Sequence, residues 1–409
     1  MGEAAGGAAW ARPPAPGRRR RGAGEAVNFA LSDEQELLRE AARQALSRVS
    51  TVQAARAALE DPRSLPDLWT TAVQAGWPGL LISEDRGGAA LGAFDAMLVA
   101  EECGRVLAAV PLLGLFPATA ILNAAGDAAL EQIARGELRP AYLPARPPSE
   151  RVGYWSVDRR SPAGRAVAPR ARRQGDAVLL DGEVAWVPDA PGADLLVAVA
   201  VDEDGGEPIA AVVGAGAEGV AVEPQTRYDA TRSLGHVTLA GALARPLEVG
   251  AERLAGAWYL AQALLAAESI GAAEACLQMS VAYARERHTF GRPIGSYQAI
   301  KHELTEVLRR LENARGLQYY AGWAHDARPQ ELALAASAAR SAAASALDFA
   351  SRSAINVHGG IGATWEHDAP LFFRRAQLSR RLLAGARDAT DRVAERAMAG
   401  ALDGQVAGG

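Results

Sequence analysis

The sequence predicts an α+β fold in which two helical regions flank a β domain. Apolar residues recur at helical spacing from about residue 32 to 145 and again from about 248 to 398. Between these regions, short apolar runs are separated by turn residues, a pattern typical of antiparallel strands. Helices and strands are therefore segregated along the chain, whereas an α/β protein would alternate them.

The composition is that of an ordinary globular protein, and it excludes several classes. Of the 409 residues, 49% are hydrophobic and 22% are charged. The net charge of −5 argues against a general nucleic-acid binder, and two cysteines are too few for a disulfide framework. Because no run of about 18 apolar residues occurs, no membrane-spanning helix is predicted. We expect a cytoplasmic protein.

Residues 1–27 are predicted to be a disordered tail. They are rich in Gly, Ala and Pro and contain four consecutive arginines, Arg18 to Arg21. No apolar segment follows these arginines, so the tail is not a secretory signal.

The N-terminal helical domain is predicted over residues 28–148. Its first helix opens with a capping box, in which the Ser32 hydroxyl accepts from the third helical amide and Gln35 reaches back. Apolar residues then follow at helical spacing: Leu38, Ala42, Ala45 and Val49. Breaks in the helical pattern are expected at 76–78 and at 83–88.

The β domain is predicted over residues 149–247. Residues 177–180 and 195–201 have the composition of strands. Asp181-Gly182 predicts a hairpin turn, because glycine accepts the positive φ that such turns need, and 202–206 predicts another turn.

The C-terminal helical domain is predicted over residues 248–400. One amphipathic helix is marked by Ile300, Leu304, Leu308 and Leu311, and the Ala-rich segment 332–349 predicts a closely packed buried helix. No Gly-x-Gly-x-x-Gly follows a strand, so a Rossmann site is not expected.

Two motifs in this domain can carry chemistry. The segment 287–295 joins two helices and places Arg287 beside backbone amides and a helix N-terminus, which together favour an anion. The alternative is an ordinary helix connection with a glycine turn. The segment 356–362 has three glycines after a long helix, which let the backbone approach a ligand closely. Its alternative is a helix C-cap.

Four segments in order and spacing resemble the acyl-CoA dehydrogenase family. They are residues 29–35, 87–96, 287–302 and 358–362, and the run 365–368 resembles the family's actinobacterial branch, which includes steroid and polyketide-related members. The resemblance implies an N-terminal helical domain, a middle antiparallel β domain and a C-terminal four-helix bundle. It also implies FAD, held across a subunit interface in a dimer or a dimer of dimers.

The resemblance also implies which residues bind FAD. Arg287, Thr289 and Phe290 would contact the pyrophosphate in a neighbouring subunit. The rest of the dinucleotide would be held by Gln298 and by the turn formed by Asn356, Val357, His358, Gly359 and Gly360. Asn356 stands where glutamine is usual and keeps the amide with a shorter reach.

The half of the site that holds the flavin ring departs from the family pattern. The strand that usually carries a flavin-contacting threonine has Pro188 there, and proline offers neither hydroxyl nor amide hydrogen. Ser156 is the candidate for the usual threonine of the preceding loop. Trp186 either packs on the flavin ring or is an ordinary strand aromatic.

The usual catalytic bases are also missing. By count, the common glutamate position falls near Leu383, and the minority position on the preceding helix falls at Ala261, next to Gln262 in place of an arginine. Glu268, two helical turns beyond Ala261, is the candidate substitute, with a buried structural carboxylate as the alternative. Asp388 is a second candidate, with an N-cap for a helix over 390–398 as the alternative.

The predicted function follows from these departures. The chain is expected to be a subunit of a heteromeric, FAD-dependent acyl-CoA dehydrogenase, completing the FAD site of a partner that carries the base, with an electron-transfer flavoprotein as a typical acceptor. Three alternatives stay open: a self-sufficient dehydrogenase with a relocated base, a non-catalytic structural subunit, and a flavoenzyme of specialised metabolism. The resemblance favours a CoA thioester over a carrier-protein thioester. No metal site is expected.

Val27 is a candidate for the true translation start, which would remove most of the arginine-rich tail. We expect mass spectrometry of the native protein to find an N-terminus at residue 27. A native N-terminus at Met1 would contradict this prediction.

Overall fold

The computed structural model describes residues 30–49, 51–160 and 166–406. The predicted tail over 1–27 and the candidate start at Val27 lie outside the described residues. The described chain has the predicted order of a helical region, a sheet and a second helical region.

The N-terminal region contains six α-helices among the described residues. They are α1 (Asp33–Ser47), α2 (Thr51–Ala57), α3 (Trp69–Gln74), α4 (Ala93–Arg105), α5 (Leu112–Ala125) and α6 (Ala129–Ala134). The capping box is confirmed, because the backbone N–H of Gln35 donates to Ser32 Oγ at 3.2 Å and that of Ser32 donates to Gln35 Oε1 at 3.1 Å. The predicted breaks are confirmed as 3-10 turns at Trp77–Gly79 and Glu84–Arg86.

The middle region is built on one seven-stranded sheet. Its strands are β1 (Pro140–Leu143), β4 (Arg170–Gln174), β5 (Ala177–Pro188), β6 (Leu195–Asp202), β7 (Pro208–Gly214), β8 (Val220–Pro224) and β9 (Leu234–Leu247), while β2 (Ser156–Val157) and β3 (Ala166–Val167) form a separate pair. The order is β1-β6-β4-β5-β9-β7, β8 adds to β9, and β6 also pairs with β7. The antiparallel prediction is wrong for β1 and β4, which run parallel to β6.

The predicted hairpin at Asp181-Gly182 is wrong. Both residues lie inside β5, where the register with β9 shifts between Leu180 and Asp181. The Asp181 carboxylate accepts from the backbone N–H of Gly241 on β9 at 2.8 Å, so this pair forms a bulge rather than a turn. The turn before β5 uses Gly175, with φ of 61°.

The C-terminal region is a bundle of four long helices with a short one at its end. The long helices are α7 (Ala251–Glu286), α8 (Gln298–Ala327), α9 (Pro329–His358) and α11 (Gly385–Val406), and the short one is α10 (Ala369–Ser379). A small hairpin, β10 (His288–Thr289) and β11 (Arg292–Pro293), joins α7 to α8. The buried Ala-rich helix is confirmed within α9.

Two details of this bundle correct the sequence predictions. Leu308 is 46% exposed although its helical spacing predicts a buried face, while Leu311 is buried. Asp388 is not an N-cap, because α11 begins at Gly385 and places Asp388 in its first turn.

Helix α7 is the central helix of the protein. Within the described part of the chain, it alone is long and apolar enough to cross a membrane, but 83% of its most apolar window is buried against other elements. It packs on α4, α5, α8, α9 and α10. These contacts explain the apolar surface as that of a core helix.

Glycines let α4 and α7 approach backbone to backbone. A Cβ on Gly104 of α4 would lie 2.0 Å from the carbonyl oxygen of Glu268, and one on Gly271 of α7 would lie 1.8 Å from that of Glu101. No side chain fits at either distance, so both positions require glycine.

Substitution of Gly271 by alanine tests this contact. We expect Gly271→Ala to lower the free energy of unfolding by about 1–3 kcal/mol or more, because a methyl group must push the two helices apart. Gly256→Ala on the same helix is the matched control. Its Cβ meets nothing within 4 Å, so it should be neutral or slightly stabilising. Equal denaturation midpoints for the two variants would contradict the predicted clash.

Candidate functional site

The hairpin after α7 presents a row of exposed side chains. The backbone N–H of Arg287 closes α7 on Tyr283 O at 2.8 Å, and the chain then reverses at Phe290 and Gly291, whose φ angles are 52° and 80°. Tyr297 Oη donates to Thr289 O at 2.9 Å and fixes the hairpin to the start of α8. Phe290 is left 92% exposed.

The glycine turn at the end of α9 lies beside this hairpin. His358 is buried, its Nδ1 lies 2.7 Å from Ala354 O, and its ring centroid lies 4.4 Å from that of Tyr283. Gly359 then turns the chain with φ of 65°, and a Cβ on Gly359 or Gly360 would meet nothing within 4 Å. We call the exposed residues of hairpin and turn the hairpin face: Arg287, Thr289, Phe290, Gln298, Asn356, Gly359 and Gly360.

The hairpin face has unused hydrogen-bond donors. Arg287 makes no side-chain hydrogen bond or ion pair with any described residue. Tyr297 precedes α8 without a side-chain cap, which leaves the first amides of that helix open. A free guanidinium beside an uncapped helix N-terminus suits a phosphate group. The structure therefore brings these sequence-predicted residues together.

A second feature, which we call the interdomain cavity, lies between the sheet region and the bundle. Its volume is about 370 Å³. Its walls include Ser156 and Trp186 from the sheet region, Trp258 from α7, and Leu383 and Ala384 from the loop before α11. Ser156 and Trp186, which the resemblance assigns to flavin, therefore share one cavity that is separate from the hairpin face.

Trp186 is fixed in the cavity wall by strained backbone and polar neighbours. Its φ is 58°, a left-handed value that non-glycine residues rarely adopt. Its backbone N–H donates to His236 Nδ1 at 3.3 Å, and the guanidinium of Arg227 lies 3.9 Å from its ring centroid. Burial, together with Arg160, lowers the pKa of His236, which keeps Nδ1 an acceptor at neutral pH.

The loop at the usual base position is strained and is held by two buried side chains. Leu383, Ala384 and Gly385 have φ of 52°, 64° and 83°, at about 1–2 kcal/mol for each non-glycine residue. Gln262 Nε2 donates to Leu383 O at 2.8 Å, and the buried Arg340 donates to Ser379 O at 2.5 Å. Such strain persists only where surrounding contacts determine the backbone.

Glu268, the base predicted from the sequence, has a different partner. Its side chain is 3% exposed and forms an ion pair with Arg232, which is 7% exposed and also donates to Ser379 Oγ at 3.3 Å. Glu268 is not among the residues lining the interdomain cavity. Glu268 as base stays a prediction, and this geometry argues against it.

The sequence analysis gave no role to Asp158. It gave Asp388 the structural role of an N-cap, which is wrong. Both line the interdomain cavity. Asp388 forms ion pairs with Arg146 and, at 3.1 Å, with Arg392. Asp158 lies two residues after Ser156, in the segment that replaces the family's flavin loop, and this nearness was the available signal. Within the described ranges, no three His, Cys, Asp or Glu side chains group as metal ligands.

Comparison with known proteins decides the family. The model of the acyl-CoA dehydrogenase N-terminal domain matches residues 32–145, and that of the C-terminal domain matches 250–399. IpdE2 from Mycobacterium tuberculosis, an acyl-CoA dehydrogenase, is 33% identical over 369 residues, which covers 88% of this chain and 96% of that protein. The chain belongs to the acyl-CoA dehydrogenase family. IpdE2 from Mycolicibacterium smegmatis is 31% identical over 361 residues, 88% of this chain and 97% of that protein.

Solved structures agree with this membership. The Tcur3481–Tcur3483 steroid ACAD superposes with a TM-score of 0.78 at 27% identity, over 90% of this chain and 99% of that one. The ChsE4–ChsE5 complex from Mycobacterium tuberculosis shares the fold, with a TM-score of 0.78 at 24% identity, over 91% of this chain and 99% of that one. The predicted fold is confirmed, and FAD is the cofactor of the family.

The two parts of the chain fit FAD unequally. The hairpin face offers a free guanidinium, open amides and glycines with room for a ligand, which suit a pyrophosphate. The interdomain cavity offers an aromatic wall at Trp186 and the Ser156 hydroxyl, but the buried Pro188 has no hydrogen to donate. When bound, FAD supplies the acceptor for a hydride.

The ion pair of Glu268 gives a prediction that separates a base from a structural carboxylate. We expect Glu268→Gln to lower the free energy of unfolding by about 3–5 kcal/mol, because Arg232 stays buried without its partner. Adding Arg232→Gln should restore part of the loss in chemical denaturation. A Glu268→Gln variant as stable as the parent protein would contradict the structural role.

Proposed function

We propose that this chain is a subunit of an FAD-dependent acyl-CoA dehydrogenase and completes the FAD site of a neighbouring subunit through its hairpin face. The observation that carries this proposal is the exposed and unpaired state of that face. Phe290 is 92% exposed, and Arg287 has no partner among the described residues. An aromatic ring and a guanidinium presented outward suit a ligand held mainly by another chain.

The reaction proposed is α,β-dehydrogenation of an acyl-CoA in the cytoplasm. A base takes the α-proton, and electrons pass from FAD to an acceptor such as an electron-transfer flavoprotein. The likeness to a steroid ACAD supports an acyl chain attached to a steroid-derived ring system. Membership of the family supports the CoA thioester.

We propose a heteromer rather than a homomer. The usual base positions hold Ala261 and Leu383, neither of which accepts a proton. The ChsE4–ChsE5 complex shows that this fold assembles from two different chains. A related partner that carries the usual glutamate would supply the chemistry that this chain lacks at those positions.

A second candidate function is a dehydrogenase that also turns over in its own interdomain cavity. The observation that favours it is the presence there of Asp158, a carboxylate without an ion pair among the described residues. In this case the hairpin face of the chain would complete a neighbour's FAD site, and the chain would also catalyse the reaction in its own interdomain cavity.

Purification of the chain alone and after co-expression with a related partner separates these candidates. The flavin spectrum and acyl-CoA-dependent dye reduction are measured on both samples. FAD and turnover in the mixture only would support the heteromer. Stoichiometric FAD with turnover in the isolated chain would refute the need for a partner.

Variants of the hairpin face test its contribution directly. We expect Arg287→Gln to weaken FAD binding to the complex about 10–100-fold, since a charge-assisted hydrogen bond contributes about 1.5–3 kcal/mol, and we expect Phe290→Ala to weaken it as well. Matched controls are Arg172→Gln, at an exposed arginine on β4, and Leu37→Ala, at a leucine 68% exposed on α1.

FAD release on dilution, followed by flavin fluorescence, measures these affinities. The two control variants should retain FAD like the parent complex. If Arg287→Gln and Phe290→Ala also retained it, the hairpin face would have no part in the site.

A further inference from the structure

We propose that Asp158 is the proton acceptor of the interdomain cavity and takes the α-hydrogen of an acyl thioester bound there. This inference rests on the second candidate function, a cavity that works for its own chain. The proposed base is therefore a carboxylate on the sheet side of the cavity, and Glu268 on α7 is not the base.

Comparison of the four carboxylates around the cavity singles out Asp158. Asp388 is neutralised by Arg146 and Arg392. Asp391 and Glu395 both face Arg151, at 2.5 Å and 3.6 Å. Asp158 has no ion pair within 4 Å of its carboxylate among the described residues. It is therefore the cavity carboxylate whose negative charge is left for a ligand.

The location of Asp158 matches the place where the base is needed. Asp158 lines the same cavity as Leu383, the usual base position, and Ala384, which directly follows it. The Ala384 amide is near enough to Asp158 to favour the charged form of its carboxylate. Trp186 and Trp258 line the same cavity.

The electrostatic surroundings make Asp158 a stronger base than a solvent-exposed aspartate. Burial raises its pKa, while the Ala384 amide and Arg146 oppose this rise, and the carboxylate of Asp388 adds to it. Arg159 and Arg151 lie at the same cavity, Arg151 already paired. A raised pKa increases the driving force for taking a proton from carbon.

The proposed step balances as follows. The α carbon–hydrogen bond breaks, and its proton passes to a carboxylate oxygen of Asp158. The electron pair of that bond becomes the α,β double bond as the β carbon releases a hydride. When bound at the cavity, FAD would supply the acceptor for that hydride and its two electrons. Asp158 ends protonated and neutral, still beside the Ala384 amide, and returns its proton to solvent through the cavity mouth.

Exchange of the α-hydrogen with solvent tests the proton step without redox turnover. The FAD-loaded protein, alone and with its related partner, is incubated anaerobically in D₂O with octanoyl-CoA and with a steroid side-chain acyl-CoA. Mass spectrometry follows deuterium in the thioester. We expect Asp158→Asn to lower exchange at least 100-fold and Asp158→Glu to recover part of it. Asp176→Asn, at an exposed aspartate in the turn before β5, is the matched control and should exchange like the parent protein.

Titration of the carboxyl group gives a readout that needs neither FAD nor turnover. In protein with ¹³C-labelled aspartate side chains, a second carboxyl signal besides that of the buried Asp189 should titrate above the ordinary aspartate range and disappear in Asp158→Asn. Circular dichroism should show that the variant is folded.

Three outcomes would overturn the inference: parent-like exchange in folded Asp158→Asn, no thioester exchange in the parent protein, or no carboxyl signal with a raised pKa at Asp158. Failure here leaves the hairpin-face proposal intact, because that proposal is measured by FAD retention in Arg287 and Phe290 variants. Conversely, parent-like FAD retention in those variants would refute the hairpin-face proposal and leave the proposal for Asp158 unaffected.

Discussion

The close packing of α7 against α4 is the contact on which both functional regions depend. Gly104 and Gly271 bring the two helix backbones so near that a methyl group on either would strike a carbonyl oxygen. With α7 held in this way, its first half places Trp258 in the wall of the interdomain cavity and Gln262 against the Leu383 carbonyl, and its end leads into the hairpin that begins at Arg287. One helix therefore fixes the separation between the interdomain cavity and the hairpin face that we propose is offered to a neighbour.

The two regions differ in how their polar groups are satisfied. On the hairpin face, Arg287 and the first amides of α8 have no protein partner among the described residues, so a ligand can use them. Around the cavity, Arg146, Arg151 and Arg392 are committed to carboxylates of α11. The unpaired guanidinium of Arg287 beside open amides is why we assign the phosphate contacts to the hairpin face.

Features that depend on neighbouring residues in the sequence could be predicted, and features that depend on distant partners could not. The capping box at Ser32 and the glycine turn at Gly359 are local arrangements and were recognised directly. Asp181-Gly182 has the local signature of a hairpin, but β9 turns it into a bulge through Gly241. The role proposed for Asp158 depends on the cavity it shares with Ala384, more than 200 residues away, and in the sequence only its nearness to Ser156 pointed there.

Two departures from the family pattern, Leu383 in place of a glutamate and Gln262 in place of an arginine, have one physical explanation. The segment 379–383, in which Ser379, Leu382 and Leu383 are buried, already receives hydrogen bonds from two arginines, Arg232 and Arg340, and Glu268 is the carboxylate paired with Arg232. Burial and the charge of Arg232 lower the pKa of Arg340 to about 9, which shows how costly more positive charge would be here. An arginine at 262, the family's residue, would add an unpaired cation once Leu383 replaces the glutamate. Gln262 keeps the bond to the loop carbonyl without the charge, so a carboxylate restored at 383 alone would face a neutral amide.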